Sequence, residues 1–293
     1  TIFTIEECKE ELLQRGYILS SANSINFGRL APQIAYYFSA YLDLVSSGQI
    51  KMGDKVNFAV PTGNFGNILA AYYAMRMGLP VGRLVCASNK NNILTDFFRT
   101  GVYDKRREFY KTMSPSMDIL ISSNLERLLF ELSGRNAVRT KLRMDKLKEE
   151  GVYEIYDEEK EEISKLFYAD YCGEDETVET IYEFFEEYQY PMDTHTACAM
   201  YAAANYMEKE KDHDTPMVVV STASPYKFPQ DVMYALTGND IKDSFKAIKH
   251  LNLTTAMKVP KNLAGLRDKK VRFDIVADKD KLYPEVLKFA EKK

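Results

Sequence analysis

Residues 56–67 have the composition of an anion-binding turn. They read Val-Asn-Phe-Ala-Val-Pro-Thr-Gly-Asn-Phe-Gly-Asn, so an apolar strand ends in a turn with Gly63 and Gly66, and an apolar, alanine-rich helix follows. Glycine permits backbone conformations that let successive N–H groups converge on one anion, and the positive end of the helix dipole faces the same point. The segment therefore predicts a phosphate cradle. An ordinary connection between a strand and a helix has the same pattern, so this alternative stays open.

Three polar segments could contact a ligand: residues 20–29, 62–67 and 221–227. Each is rich in hydroxyl and amide side chains, which hydrogen-bond well but are poor general acids and bases. Such a set is typical of a pocket that holds a reactive organic cofactor, because the cofactor then carries the bond chemistry and the protein supplies binding and orientation.

Strands and helices alternate along the part of the chain that must position these segments. The predicted strands span 17–19, 56–60, 83–87, 118–121, 217–221 and 271–276, and the predicted helices include 4–14, 32–46, 67–77, 93–98, 124–132 and 194–209. This alternation predicts a mostly parallel open sheet with helices on both faces. The strongly apolar strand 217–221 should lie inside the sheet. Ligand contacts are expected just beyond the carboxyl ends of such strands.

Composition excludes several classes of function. The 293 residues carry a net charge of −4, which gives no general attraction to nucleic acid or to an anionic membrane. No apolar run approaches the roughly 20 residues that span a bilayer. The four cysteines are far apart and accompany three histidines, so neither a disulfide framework nor a metal site is expected. A reducing cytoplasm fits best.

Six motifs resemble those of the threonine synthase family, and they occur in the same order. They are Ser21-Ala-Asn-Ser-Ile-Asn26 with Arg29 and Gln33-Ile-Ala-Tyr-Tyr-Phe38, Pro61-Thr-Gly-Asn-Phe-Gly66, Ser114-Pro-Ser-Met-Asp118, Ser122-Ser-Asn-Leu-Glu-Arg-Leu-Leu129, Asp193-Thr-His-Thr196, and Thr222-Ala-Ser-Pro-Tyr-Lys-Phe228. The resemblance covers about residues 20–228. Collinear matches are far more specific than any single short motif.

The resemblance implies both an activity and a fold. Threonine synthases use pyridoxal 5'-phosphate to convert O-phospho-L-homoserine and water to L-threonine and phosphate, and their fold resembles the tryptophan synthase β-subunit (pyridoxal-phosphate fold type II). Residues 1–50 would then be the remainder of a smaller N-terminal open α/β domain. Residues 51–293 would form a larger α/β domain with the phosphate loop, a helical insertion near 136–190 and a mainly helical C terminus. Association into a homo-oligomer is a further expectation, since an incomplete sheet exposes apolar surface.

The resemblance also implies roles for particular residues. The loop that wraps the cofactor phosphate corresponds to Gly63, Asn64, Phe65, Gly66 and Asn67, and the hydroxyl that faces the pyridine nitrogen corresponds to Thr222. The substrate's phosphate and carboxylate would be bound by Asn23, Ser24 and Arg29.

Simpler interpretations remain for three of the residues in these motifs. Arg29 could be a surface residue at the start of a helix, and Lys227 is expected to be a capping side chain rather than a Schiff-base lysine. We interpret His195 as a hydrogen-bonding residue at a helix terminus rather than as a base.

The lysine that forms the Schiff base in this family is expected upstream of the first motif, and no matching segment occurs among the preceding residues. Ser244-Phe-Lys246 resembles the lysine segment only superficially, because it follows the ring-facing loop and lacks the subsequent aspartate. The chain is therefore expected to be a carboxyl-terminal portion that has no catalytic residue of its own and is inactive alone. Two alternatives stay open: a non-catalytic phosphate-ligand binding or regulatory homologue, and a related lyase acting on another phosphorylated amino acid.

Overall fold

The computed structural model describes residues 2–18, 23–272 and 274–291, which form two compact units. One unit is drawn from Thr1–Asn23 and Lys261–Lys293, and the other is Ser24–Pro260. Among the described residues, no helix combines the length and the apolarity that a membrane crossing requires.

The helices and strands follow one another along the chain with short connections. The helices are α1 (Ile2–Gln14), α2 (Phe27–Ser46), α3 (Gly66–Arg76), α4 (Ile93–Thr100), α5 (Leu125–Leu132), α6 (Ala137–Glu149), α7 (Asp157–Leu166), α8 (Glu174–Tyr188), α9 (Thr194–Glu210), α10 (Pro229–Thr237), α11 (Ser244–Thr255), α12 (Lys261–Ala264) and α13 (Leu282–Glu291). The strands are β1 (Val56–Pro61), β2 (Val81–Ser88), β3 (Val102–Asp104), β4 (Val152–Glu154), β5 (Phe167–Tyr171) and β6 (Met217–Val219). Short 3₁₀ helices occur at Pro115–Met117, Pro225–Lys227 and Lys279–Lys281.

The main sheet lies in the larger unit and has the strand order β5-β2-β1-β6, with all pairings parallel. From β1 the chain builds the sheet in one direction through β2 to β5, and it then returns to place β6 on the other side of β1. The carboxyl ends of these parallel strands lie at one edge of the sheet. The chain leaves β1 toward β2 on one side, whereas β6 lies on the other side of β1, so a crevice opens between them at this edge. This crevice is where a ligand site is expected.

The two faces of β1 and β2 bury different side chains, as the period of two in a strand requires. Phe58 and Cys86 lie in the core under α2 and α3. Ala59 and Val85 face the opposite way and pack with the alanines of α9. Both faces of the sheet are therefore covered, and the predicted α/β class with a mostly parallel sheet is confirmed.

The smaller unit is held by contacts between α1 and α13. The Arg15 guanidinium pairs with Glu291 at 2.7 Å, and the Tyr283 hydroxyl donates to Glu11 Oε2 at 2.6 Å. The predicted strands at 17–19 and 271–276 are not present in the described residues of those segments, and residues 19 and 273 lie outside the described residues.

Several predictions about the larger unit are wrong in detail. Residues 118–121 form no strand, because the Asp118 carboxylate accepts hydrogen bonds from the backbone and hydroxyl of Thr112 and holds the segment as a loop. The strand predicted at 217–221 is present as Met217–Val219, but it lies at an edge of the sheet beside β1, and its side chains are half-buried rather than inside. α2 begins at Phe27 rather than at Pro32, because Asn26 caps it.

The stretch 136–190 contains two strands in addition to the helices α6, α7 and α8. It supplies β4, which pairs with β3, and β5, which is an edge strand of the main sheet. The contacts divide the described chain at Ser24 and Pro260 rather than near residue 50, since α2 packs on α3 within the larger unit. The assignment of residues 1–50 and 51–293 to two domains of a longer protein stays a prediction.

Candidate functional site

A cavity of about 280 Å³ lies at the edge of the sheet where β1 and β6 end. Five short segments meet there: the start of α2, the turn after β1, the loop around Ser116, the start of α9 and the residue Thr222. Its lining consists of Ser24, Arg29, Gln33, Pro61, Thr62, Gly63, Asn64, Phe65, Gly66, Asn67, Ile68, Ser116, Met117, His195 and Thr222. The polar segments noted in the sequence thus converge on one place.

The turn after β1 presents the uncapped start of α3 to this cavity. Phe65 adopts a left-handed conformation with φ of 62°, and no side chain caps the helix. The first intrahelical bond is donated by Leu69 to the Phe65 carbonyl at 3.1 Å. The N–H groups of the preceding helical residues have no acceptor within the helix, so together with the helix dipole they favour an anion.

The ring of Phe65 explains why this helix starts where it does. It is buried in the core and stacks with Phe98 at a centroid distance of 5.9 Å and lies 6.1 Å from Phe167. Because the ring is anchored among core aromatics, only the backbone of Phe65 faces the cavity. Burial of the ring offsets the unfavourable positive φ of a residue other than glycine.

The carbonyl groups of the turn are bound by the segment that leads into α5. Ser122 Oγ donates to Gly63 O at 2.8 Å, and the backbone N–H of Asn124 donates to Asn64 O at 3.1 Å. Ser122 and Asn124 are buried and do not line the cavity. The Gly63 and Asn64 carbonyls therefore point away from the cavity. In a trans peptide the N–H points opposite to the C=O of the same unit, so the N–H groups of Asn64 and Phe65 point toward the cavity.

His195 holds a neighbouring loop in place. Its Nε2 accepts a hydrogen bond from the Ser116 N–H at 3.1 Å, so Nδ1 carries the proton and donates to Asp193 Oδ1 at 2.9 Å. Both ring nitrogens of His195 are therefore hydrogen-bonded. The Ser116 carbonyl in turn lies so close to Gly63 that a Cβ there would approach it to 2.7 Å.

The charge of the cavity favours an anionic ligand. Within the described part of the chain, Arg29 is the one charged side chain in the lining, and no carboxylate contributes to it. Arg29 is exposed in the first turn of α2, where its backbone carbonyl accepts from the Gln33 side chain at 2.7 Å. A guanidinium beside an uncapped helix start suits phosphate or carboxylate groups.

The comparisons with known proteins agree with the motifs. Residues 196–284 match the family model described as "Threonine synthase, C-terminal". Threonine synthase from Pseudomonas aeruginosa is 42% identical over 224 residues, which cover 76% of this chain and 46% of that protein. Human threonine synthase-like 1 is 43% identical over 233 residues, 79% of this chain and 31% of that protein. The chain belongs to the threonine synthase family.

Solved structures of this family have the same fold. The structure of pyridoxal-phosphate-bound threonine synthase from Brucella melitensis matches 94% of this chain and 53% of its own length, with a TM-score of 0.78 at 36% identity. Yeast threonine synthase matches 92% of this chain and 53% of its own length, with a TM-score of 0.79 at 32% identity. The fold is therefore that of pyridoxal-phosphate fold type II, as predicted. The chain spans about a third to a half of the length of the curated relatives described above.

Most of the residues predicted for the site lie together. Ser24, Arg29, the stretch 63–67 and Thr222 all line the cavity. Asn23 is exposed at the bend before α2 and is not among the lining residues, and residues 20–22 lie outside the described residues. The Asn67 side chain is partly committed elsewhere, since it accepts a hydrogen bond from the buried Tyr37 hydroxyl at 2.5 Å.

Other residues of the site received no role from the sequence. They are Gln33, Ser116, Ser122 and Asn124, and all lie inside motifs that resemble the family. Their membership of the motifs marked these residues as candidates. Their individual roles depend on contacts with segments that are distant in sequence, which the motifs do not show. Lys246 is exposed in the first turn of α11 and is not among the residues that line the cavity.

The residues of the cavity fit pyridoxal phosphate. An uncapped helix start and the directed N–H groups of the turn suit a phosphate, and a Cβ at Gly63 would close the approach to Ser116. The Thr222 hydroxyl, exposed after β6, is a neutral group of the kind that can face a ring nitrogen. Among the described residues, none of the lining side chains is a lysine.

Proposed function

We propose that this cavity binds the phosphate of pyridoxal 5'-phosphate and the substrate O-phospho-L-homoserine in a threonine synthase, which releases L-threonine and phosphate. The observation that carries the proposal is the uncapped start of α3 behind the Gly63 turn, in a cavity whose described lining contains an arginine and no carboxylate. When bound, pyridoxal phosphate supplies an electron sink for the substrate's carbon atoms.

Each part of the cavity then has a task. The backbone N–H groups of residues 63–67 hold the cofactor phosphate. The Thr222 hydroxyl faces the ring nitrogen, and as a neutral group it tempers protonation there. Ser24 and Arg29 bind the substrate's phosphate and carboxylate.

The proposal includes inactivity of this polypeptide by itself. A Schiff-base lysine both anchors the cofactor and moves protons, and no described lining residue can replace it. The lysine would come from a preceding segment of a longer protein. The upstream gene sequence tests this assignment. An in-frame segment that contains Ser-Phe-Lys would support it, whereas a start codon near Thr1 would favour a non-catalytic binding protein.

Three measurements test the proposal. Pyridoxal phosphate at a hundred times its Kd should stabilise the chain by about 2.7 kcal/mol, visible as a rise in Tm. Arg29→Gln is a matched variant that should weaken phosphohomoserine binding while leaving cofactor binding close to wild type. The chain with pyridoxal phosphate and phosphohomoserine should release no phosphate above background. An unchanged Tm at saturating cofactor would refute the cofactor site, and robust turnover would refute the inactivity of the chain.

A second candidate is a related lyase acting on another phosphorylated amino acid. The relatives with similar identity include a protein named threonine synthase, at 42%, and one named threonine synthase-like 1, at 43%, so family membership alone does not specify the substrate. Comparing phosphate release from O-phospho-L-homoserine with release from O-phospho-L-threonine, in a protein that includes the preceding segment, separates the two candidates.

We also infer a reducing, cytoplasmic location, because all four cysteines are buried free thiols. Association of copies is proposed on the apolar side chains that α2 leaves exposed, among them Tyr36 and Leu42. Sedimentation as a monomer at high concentration would argue against it.

A further inference from the structure

Asn124 joins two segments of the candidate site without lining the cavity. It is fully buried at the start of α5. Its Nδ2 donates to Asn64 O at 2.8 Å and to Ser24 O at 3.0 Å. An amide nitrogen has two hydrogens, so both are used, one on each segment.

Arg127 fixes the orientation of that amide. Its Nη1 donates to Asn124 Oδ1, and its Nη2 donates to Ile25 O at 2.9 Å. An arginine only donates, so the oxygen of the Asn124 amide must face it and the nitrogen must face the two carbonyls. Hydrogen bonds from a charged donor are stronger than neutral ones, which makes this orientation well determined.

These bonds set the direction of N–H groups in the cradle. In a trans peptide the N–H points away from the C=O of the same unit. The peptide group that contains Asn64 O also contains the Phe65 N–H. Asn124 donates to that oxygen from the side of the turn that faces away from the cavity. The Phe65 N–H is thereby directed toward the cavity, which Phe65 lines.

We propose that Asn124 is a positioning residue that holds the phosphate cradle and the Ser24 segment in register, with Arg127 as its orienting partner. The proposal rests on the proposed function of the cavity and assigns Asn124 no contact with ligand. It couples the two anion-binding segments, because one side chain bonds to both.

Asn124→Asp tests the donor role most sharply. The carboxylate keeps the size of the side chain and the acceptor for Arg127, but it places an oxygen against the carbonyls of Asn64 and Ser24. The probe is inorganic phosphate, followed through the amide ¹H–¹⁵N shifts of residues 63–68 in the full 293-residue chain. Affinity should fall about tenfold, equivalent to ~1.4 kcal/mol. The affinity for pyridoxal phosphate should fall by a similar factor.

Asn136→Ala is the matched control. Asn136 caps α6 through a bond from the Arg139 N–H at 3.0 Å and does not line the cavity. Its loss should lower Tm and leave phosphate affinity within twofold of wild type. If the role of Asn124 were purely structural, Asn124→Asp would likewise lower Tm and leave phosphate affinity within twofold of wild type.

The outcomes separate the two proposals. If the wild-type amides show no response to phosphate or to pyridoxal phosphate, both proposals are overturned. If wild type responds and Asn124→Asp binds phosphate equally well, only the positioning role is overturned. If Asn124→Asp does not fold, Arg127→Lys decides: it keeps the charge but loses the fork that reaches both Asn124 and Ile25. A threefold or greater loss of affinity then supports the role, and an unchanged affinity overturns it.

Discussion

The Ser116 N–H donates to Nε2 of His195 at 3.1 Å, across 79 positions of sequence. This bond fixes the loop whose carbonyl packs against Gly63, so the start of α9 determines how closely the loop approaches the turn after β1. His195 is thus a structural hydrogen-bond acceptor at a helix terminus, in agreement with the interpretation from sequence.

His195→Ala should destabilise the protein by about 1–3 kcal/mol, because it removes a buried ring, the acceptor of the Ser116 N–H and one of the hydrogen bonds to the buried Asp193 carboxylate. Urea denaturation at pH 7 measures the change. His195→Gln should recover part of the loss, since its side-chain oxygen accepts from an N–H. The exposed His213→Ala is the control and should stay within about 0.5 kcal/mol of wild type. Equal stability of all four proteins would contradict the assignment.

Gly63→Ala should destabilise by about 1–3 kcal/mol through overpacking, since its Cβ would lie 2.7 Å from Ser116 O, a backbone atom. The same displacement should weaken phosphate binding. Gly265→Ala is the control, because nothing lies within 4 Å of a Cβ there. Denaturation curves and phosphate titrations of both variants test this, and a Gly63→Ala protein with wild-type stability and affinity would show that the contact has no consequence.

The buried ion pair between α6 and α7 should matter for stability. Arg143 Nη1 donates to Glu159 Oε1 at 2.9 Å, and the side chains are 6% and 4% exposed. Arg143→Met should cost about 3 kcal/mol, because the buried Glu159 carboxylate loses its bidentate partner and keeps only Arg139 at 3.7 Å and the Tyr156 N–H at 2.9 Å. The exposed Lys141–Asp145 pair is the comparison, and Lys141→Met should cost less than about 1 kcal/mol.

A double variant completes that experiment. Replacing both Arg143 and Glu159 by Met should be less destabilising than Arg143→Met alone, since no charge is then left in the core. A double variant that loses the sum of the two single losses would contradict the coupling.

Stability should depend on pH through Asp212. Burial raises the pKa of this carboxyl, but hydrogen bonds from Tyr206, Thr215 and Asn57 lower it overall, from the ordinary 3.8 to about 2. A carboxyl with a depressed pKa stabilises the fold above its unfolded pKa, and that contribution is lost as the pH falls through the folded pKa. Asp212→Ala should cost about 1 kcal/mol or less near pH 7, because the site is close to solvent.

The difference between wild type and Asp212→Ala should shrink as the pH falls from about 4 to about 2. Thermal unfolding over that range measures it, with the exposed Asp214→Ala as control. A difference that is constant from pH 7 to pH 2 would argue against the titration of Asp212 as its source.

The cysteines should be unreactive in the native state. Cys8, Cys86, Cys172 and Cys198 are all buried free thiols, and burial raises the pKa of Cys86 to about 12. The thiolate is the reactive form, so a disulfide reagent should label none of them rapidly at pH 7 and all four after denaturation. Rapid native labelling of any one would show that its segment opens locally.

Local patterns were enough to predict the strands and helices around the turn. The alternation of Phe58 and Ala59 follows from the two faces of a strand, and the sequence 61–67 predicts a strand-to-helix turn. Residues 118–121 were predicted wrongly, because their apolar pattern resembles a strand while Asp118 is committed to Asn89, Asn91 and Thr112. Asn89 and Asn91 lie 29 and 27 positions away from Asp118, so the local apolar pattern of residues 118–121 gives no sign of these bonds.

The sequence by itself determined the family, the parallel α/β class and the segments that form the cavity, since these depend on motifs and on local periodicity. The tertiary structure alone decided which groups hold those segments together. Asn124 meets Asn64 across 60 positions and Ser24 across 100, and His195 meets Ser116 across 79. Hydrogen bonds of this kind depend on the path of the chain and on the direction of single donors, so they leave no repeating pattern in the sequence.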